Sequence, residues 1–204
     1  MSIVKLNNKA VSNATVIGSI SSLGSMVFIK KLTASSSATL SFVHGTDGVD
    51  FSTYKEYVFT FNNIHPSVGN LDGLTFQVST DGGSSYGIAI TSTYFRPTHN
   101  EDDGSALLIY QGSQDLAQST AYQNITGGDG NENDESASGT LTLYNPSDTT
   151  FVKHFIGNTN TYHGGDKTRN IFTGGYINST SAVDAIQFKY SSGNIDAGDI
   201  CLYG

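Results

Sequence analysis

The sequence predicts an all-β fold: a single-domain jelly-roll β-sandwich of roughly ten strands with an N-terminal arm. Composition is the first reason. Charged residues make up only 14% of the chain, Trp is absent, and there are 11 Tyr, 11 Phe and 23 Gly. Helices favour Ala, Leu, Glu and Lys, so a chain rich in Gly, Ser, Thr, Asn and aromatic residues favours strands joined by small-residue turns. The second reason is a recurrence of short apolar runs with turn signals between them. The third is that apolar and polar residues alternate inside those runs.

The runs, in order, cover residues 26–32, 39–44, 54–64, 74–79, 86–95, 106–110, 139–144, 151–156, 171–177, 183–190 and 200–203. Turn residues separate them, as at Gly45-Thr46-Asp47-Gly48, Asp81-Gly82-Gly83-Ser84, Asn145-Pro146-Ser147-Asp148 and Ser192-Gly193-Asn194. Eleven runs exceed the seven of a simple immunoglobulin sandwich, and a two-sheet jelly roll accommodates them better. In 183–190, Ile186, Phe188 and Tyr190 share a face opposite Gln187 and Lys189; in 139–144, Leu141 and Leu143 face together. Each pattern describes a strand covering a core. In 54–61, Tyr57, Phe59 and Phe61 share one face while Tyr54 and Val58 lie on the other, which points to cover on both sides by loops or a second subunit. The last run sets Ile200 and Leu202 against Cys201 and Tyr203. A jelly roll places its terminal strands side by side, so this run is expected inside a sheet. No linker or composition shift divides the chain, giving an arm over residues 1–24 and a β-sandwich domain over 25–204.

A 204-residue chain buries roughly 70% of its unfolded surface and needs no staples. The single cysteine, Cys201, cannot form an internal disulfide and reads as a small buried hydrophobe. Net charge is −8, from 10 basic and 18 acidic residues, and no basic cluster tracks along the chain. Nucleic acid and an anionic membrane are therefore not expected partners. No apolar run reaches membrane-spanning length, so no membrane insertion is expected. The start, MSIVKLNNKAV, has no apolar core of a signal peptide.

Few residues suggest chemistry. Gly83-Ser84-Ser85-Tyr86-Gly87 matches the G-x-S-x-G elbow of hydrolases, but that elbow needs a strand before it and a helix after it. Here the stretch reads as a hairpin turn followed by a strand. A second stretch places oxygen ligands at alternate positions, Asp129, Asn131, Asn133 and Glu135. It lacks the Gly and Glu spacing of an EF-hand and is kept as a candidate ion loop in a β-sandwich, against a solvated acidic loop. The histidines, His44, His65, His99, His154 and His163, lack zinc-ligand spacing, so no metal is assigned. His99-Asn100-Glu101-Asp102-Asp103 reads as an exposed loop, and His154 as a half-buried strand residue. Residues 111–118 and 162–170 are expected as loops, and their Tyr, Asn, Ser and Gly suit an adaptable glycan- or protein-binding surface and, equally, an inert, protease-resistant one. In the arm, Ile3, Val4, Leu6 and Val11 have no regular face for a core of their own and are read as assembly contacts. No catalytic residue and no cofactor are expected.

From end to end the chain resembles a group of short, tail-fibre-like virion structural proteins of marine and freshwater tailed phages. The stretches that carry this are IVKLNNKAV, STYKEYVFTF, IHP, TSTYFR, DLAQ, YNPS, FVKHFI, GYIN and QFKYSSGNIDAGDICLYG. The closing G-x-I-x-L-Y-G pattern, here Gly198 to Gly204, recurs in phage jelly-roll modules. The resemblance implies a non-enzymatic virion structural protein on the exterior of the particle, without catalytic residues to carry over. The expected form is a homotrimer in a tail fibre or appendage, contacting other virion proteins and a host-surface glycan or protein. The alternative is a capsid decoration protein that cements the head shell.

Overall fold

The structure is a computed structural model and describes residues 26–69 and 73–204. The arm, with Ile3, Val4, Leu6 and Val11, lies outside the described residues. The described chain is all-β. Its strands are β1 (Phe28–Thr33), β2 (Leu40–Val43), β3 (Glu56–Pro66), β4 (Leu74–Ser79), β5 (Ile90–Asn100), β6 (Ala106–Tyr110), β7 (Gln123–Asn124), β8 (Ala137–Tyr144), β9 (Lys153–His163), β10 (Lys167–Ile177), β11 (Ala185–Tyr190) and β12 (Ile195–Tyr203). They form two antiparallel sheets. The large one runs β1-β12-β3-β8-β9-β10-β5-β6 and the small one β2-β11-β4-β7.

The steps β1→β2, β3→β4, β7→β8 and β11→β12 each pass from one sheet to the other, whereas the hairpins β5–β6 and β9–β10 stay in the large sheet and widen it. The closing strand lies inside the large sheet, between β1 and β3, as the sequence predicts. Its Ile195, Ile200 and Leu202 are fully buried.

Aromatic rings bind the two sheets into a sandwich. Phe188 of β11 meets Phe59 and Phe61 of β3 edge to face, each at 5.4 Å, and Phe42 of β2 meets Phe59 at 5.4 Å. Farther along, Phe76 of β4 meets Phe155 of β9 at 5.0 Å. These are the favoured ring geometries, and each buried ring removes a large apolar area from water. The alternation predicted for 139–144 and 183–190 holds: Leu141, Leu143, Ile186, Phe188 and Tyr190 all point into this core.

Tyr54, expected on a second apolar face of β3, instead packs on the chain's own core, its ring edge-on to Tyr57 at 5.9 Å. Val58 is half-buried on the outer face, between Tyr203 of β12 and Thr142 of β8.

The core also holds a cation. Lys153 is fully buried, and its Nζ donates to the carbonyl oxygens of Phe151, Ser179 and Ser181 at 3.2, 3.2 and 2.6 Å. Burial pulls its pKa below the usual lysine value. Three donors meet three acceptors, which ties the loop after β10 to the start of β9.

Candidate functional site

The candidate ion-loop residues do not gather around one point. Asp129 is 1% exposed and turns inward. Its carboxylate accepts from the hydroxyls of Thr126, Tyr190 (2.9 Å) and Thr161 (3.1 Å). Burial pushes its pKa up despite these donors. Glu135 is also buried, and its Oε2 accepts the Glu132 N–H at 2.6 Å. It lies so close under Gly130 that a Cβ there would stand 2.1 Å from the carboxyl carbon. Asn131 and Asn133 are exposed. Among the described residues no group of three His, Cys, Asp or Glu side chains is arranged to hold a metal ion.

The other singled-out residues are also dispersed. The G-x-S-x-G stretch sits in the turn after β4, where the Asp81 carboxylate accepts from Ser79, Ser85 and the Ser85 N–H, which holds its pKa at about 2. Cys201 was expected in the core but is half-buried on the outer face, across from Thr60 and Lys31, because Ile200 and Leu202 take the inward positions of β12. His154, expected half-buried, is exposed and lies edge-on to Tyr176 at 6.4 Å.

What the fold assembles is a surface. On the outer face of β9, β10, β5 and β6, strand register sets side chains in rows. One row is Asn158, Phe172, Phe95 and Tyr110. The next is Asn160, Asn170, Pro97 and Leu108, and the third is Tyr162, Thr168, His99 and Ala106. No carboxylate, lysine or arginine appears in these rows, on a chain of net charge −8. Phe95 and Phe172 stack at 5.0 Å with planes 10° apart, and Phe95 is 40% exposed.

Local sequence explains how the face forms. Along β9 the inward positions are Phe155, Gly157, Thr159 and Thr161, so Asn158, Asn160 and Tyr162 turn outward. Gly157 is needed because a Cβ there would stand 2.9 Å from Thr173 Cγ2 on β10. Pro97 has no N–H to give β10, and the β5–β10 register skips Asn170 and Ile171 opposite it.

Two adjoining grooves cut this face. The larger, about 560 Å³, is lined by Pro97, His99, Leu107, Asn160, Thr168 and Asn170, among others. The smaller, about 270 Å³, adds Glu101 and Tyr162 while sharing His99, Asn160 and Thr168. Asn160 Nδ2 is fixed by Thr168 Oγ1 (2.8 Å) and the Arg169 carbonyl (3.1 Å), leaving its amide oxygen for a ligand. A hydrogen bond to Glu101 holds the Tyr162 phenol up at about 12. His99 Nε2 pairs with Asp103 at 3.0 Å. The grooves thus offer amide, hydroxyl and imidazole groups beside an aromatic pair, and their single carboxylate, Glu101, is already engaged. Two free carboxylates across a scissile bond, as in most glycosidases, are missing from this lining.

Residues 162–170, expected as a loop, are mostly strand, the end of β9 and the start of β10, and Tyr162, Thr168 and Asn170 line the grooves, whereas no residue of 111–118 does. The sequence reading missed Asn158 and Asn160, although the out-in alternation from His154 to Tyr162 was available as a signal. Compared with known proteins, the chain matches no family model, no curated protein and no solved structure.

Proposed function

We propose that this chain is a non-enzymatic structural protein of a phage virion, an oligomeric module of a tail fibre or appendage whose outer face meets the host surface. The uncharged outer face of β9, β10, β5 and β6, with its grooves, is the observation that carries the recognition half of this reading. The resemblance described above supports the virion half. The strand order, β1-β12-β3-β8 against β2-β11-β4-β7, further supports reading the sandwich as a jelly roll of two interleaved Greek keys. We read β5–β6 and β9–β10 as hairpins inserted into that jelly roll to build the recognition face.

The ligand that suits the face is a neutral oligosaccharide. Sugar rings stack on exposed aromatic rings such as Phe95, which Phe172 backs. Planar amides, such as Asn160, which is held by Thr168 and the Arg169 carbonyl, and Asn170 beside it, answer sugar hydroxyls in both directions, donor and acceptor. An acidic glycan would meet a net charge of −8 with no basic residue in the rows.

Binding to immobilised neutral and acidic oligosaccharides tests this reading. The purified protein should retain neutral glycans and release them uncleaved, and N160A and N170A should each weaken binding roughly tenfold or more, the cost of one lost hydrogen bond to a fixed partner. Retention of acidic glycans alone, or binding unchanged in both variants, would refute it. A capsid decoration role is the second reading. It is favoured by the exposed Met26, Val27 and Phe28 at the point where the arm enters β1, and a copy number per particle in the hundreds rather than the tens would select it.

A further inference from the structure

We infer that two copies of this chain pair antiparallel through β6, about a two-fold axis at Leu108, so that their large sheets become continuous. The pairing uses the backbone edge of β6, whose Ala106, Leu108 and Tyr110 side chains also stand in the outer-face rows, but its test reads mass and needs no glycan.

The inference starts from the open edges of the sheets. An unpaired edge strand is a template for pairing, and proteins that must stay apart blunt such edges with short strands, lysine or proline. Among the described residues four strands have one neighbour each: β1 and β6 in the large sheet, β2 and β7 in the small one. β7 spans two residues and β2 four. β1, FIKKLT, carries Lys30 and Lys31, and Lys30 is bridged to Asp47 at 3.2 Å. β6, five residues long, has neither lysine nor proline. Its sequence is ALLIY, without charge, proline or glycine, and it is open on both faces, with Leu107 54%, Leu108 74% and Tyr110 57% exposed.

The backbone geometry selects the partner. Gln111 N–H donates to Tyr94 O at 2.9 Å, and Asn100 N–H to Ser105 O at 3.0 Å. With the β5–β6 register, this assigns the backbone groups of Ser105, Leu107, Ile109 and Gln111 to β5. The N–H and C=O groups of Ala106, Leu108 and Tyr110 therefore point off the edge, evenly spaced about Leu108. An identical strand related by a two-fold axis presents the complementary set. Leu108 then meets the partner's Leu108, Ala106 meets the partner's Tyr110, and Leu107 meets the partner's Ile109. Small faces large and apolar faces apolar, which is the self-complementarity a two-fold interface requires.

Charge adds a signature. The turn before β6 holds Glu101, Asp102 and Asp103, all exposed, and Asp115 is hydrogen-bonded to Tyr110. In the pair each acidic turn lies toward the partner's Tyr110 end, so carboxylates face carboxylates. Salt screens that repulsion, so pairing tightens as ionic strength rises.

The test is the mass of the full chain by light scattering, over a concentration series at low and high salt. We expect about twice the 21.6 kDa of the chain, with more dimer at high salt. L108P removes an outward N–H that β5 does not use, and edge strands tolerate proline at such a position; L108K places a charge on the two-fold axis. Both should run as monomers with the wild-type circular dichroism spectrum. If L108P loses that spectrum, L108K decides. A wild-type chain that stays monomeric throughout, one that runs as a trimer, or a folded variant that dimerises like wild type would overturn the inference.

Discussion

The two ends of the large sheet are built on different principles. Around β3, β12 and β8 the inward side chains are Tyr57, Phe59, Phe61, Leu141, Leu143, Ile200 and Leu202, all within one hydrophobic cluster. The far halves of β5, β9 and β10 present Arg96, Thr98, Thr161, His163 and Arg169 on the same inward side. A loop rather than the small sheet covers them. Arg169 donates to the Gly127 carbonyl at 3.1 Å, Tyr94 to the Thr126 carbonyl at 3.0 Å, and the Asp129 carboxylate sits at the centre. Gly128 must be glycine: its φ is +76°, and a Cβ would stand 2.1 Å from the His163 ring. The satisfaction is incomplete, since Nε of Arg96 and of Arg169 and Nδ1 of His163 are buried without a partner, and each such group costs stability. The lesson is a division of labour. An apolar block supplies cohesion, and a less stable overhang carries the surface proposed for recognition.

The largest expected effect comes from breaking the block. Deleting residues 197–204 removes most of β12, the strand between β1 and β3. Ile200 and Leu202 go with it, each worth about 1.5–3 kcal/mol, together with two strand pairings. That is comparable with a domain's whole stability of about 5–15 kcal/mol, so a thermal scan should show no cooperative transition.

Next in size is a pair of matched substitutions. F188A empties a site contacted by Phe42, Phe59 and Phe61 and should cost about 3–5 kcal/mol in urea unfolding. F95A, on the exposed face of the overhang, should cost under about 1 kcal/mol. Equal losses would erase the distinction between the regions. K153M should fall between them, at about 2 kcal/mol. It relieves a buried charge but leaves the carbonyls of Phe151, Ser179 and Ser181 without their donor.

The smallest effect is a pH dependence seated in the overhang. Burial, then the cations Arg169 and Lys167 of β10 and Arg96 of β5, hold the His163 imidazole down at about 4, against 6.5 for a free histidine. The unfolded chain therefore takes up a proton that the folded chain refuses, and stability falls as pH drops from about 6.5 to about 4. Solvent screening limits the loss to roughly 1 kcal/mol, and H163Q should abolish most of it. Asp129 acts with the opposite sign. Its raised pKa makes its contribution complete below 3.8 and lost as pH climbs through the folded value, so D129N should steepen the net rise of stability with pH on the acid side.

Much of the block was legible from sequence because its strands obey a strict alternation of large apolar residues. β4 occupies residues 74–79, as the pattern predicts, and at the other end of the large sheet β6 likewise occupies 106–110. The overhang was less legible for physical reasons. β9 was expected to end at Ile156 but continues to His163, because its inward positions there are Gly, Thr and Thr, which carry little hydrophobic contrast. β10 likewise begins at Lys167 rather than Ile171. β5 runs on through Pro97 to Asn100, since a proline at a position where its neighbour forgoes one ladder bond does not end the strand. The two-residue β7 leaves no pattern at all. The candidate recognition face combines side chains from four strands far apart in sequence, so only the pairing register brings Asn160, Asn170 and Pro97 into one row.

Native-state hydrogen exchange tests the division between block and overhang most directly. The amides of Phe59, Leu141, Phe188 and Leu202 should exchange only through global unfolding, with one common free energy and a full denaturant dependence. Those of Thr98, Thr161 and Arg169 should exchange through a smaller opening, at lower free energy and with weaker denaturant dependence. If both sets report the same free energy and the same dependence, the sandwich is a single cooperative unit and the account of a separable recognition overhang is wrong.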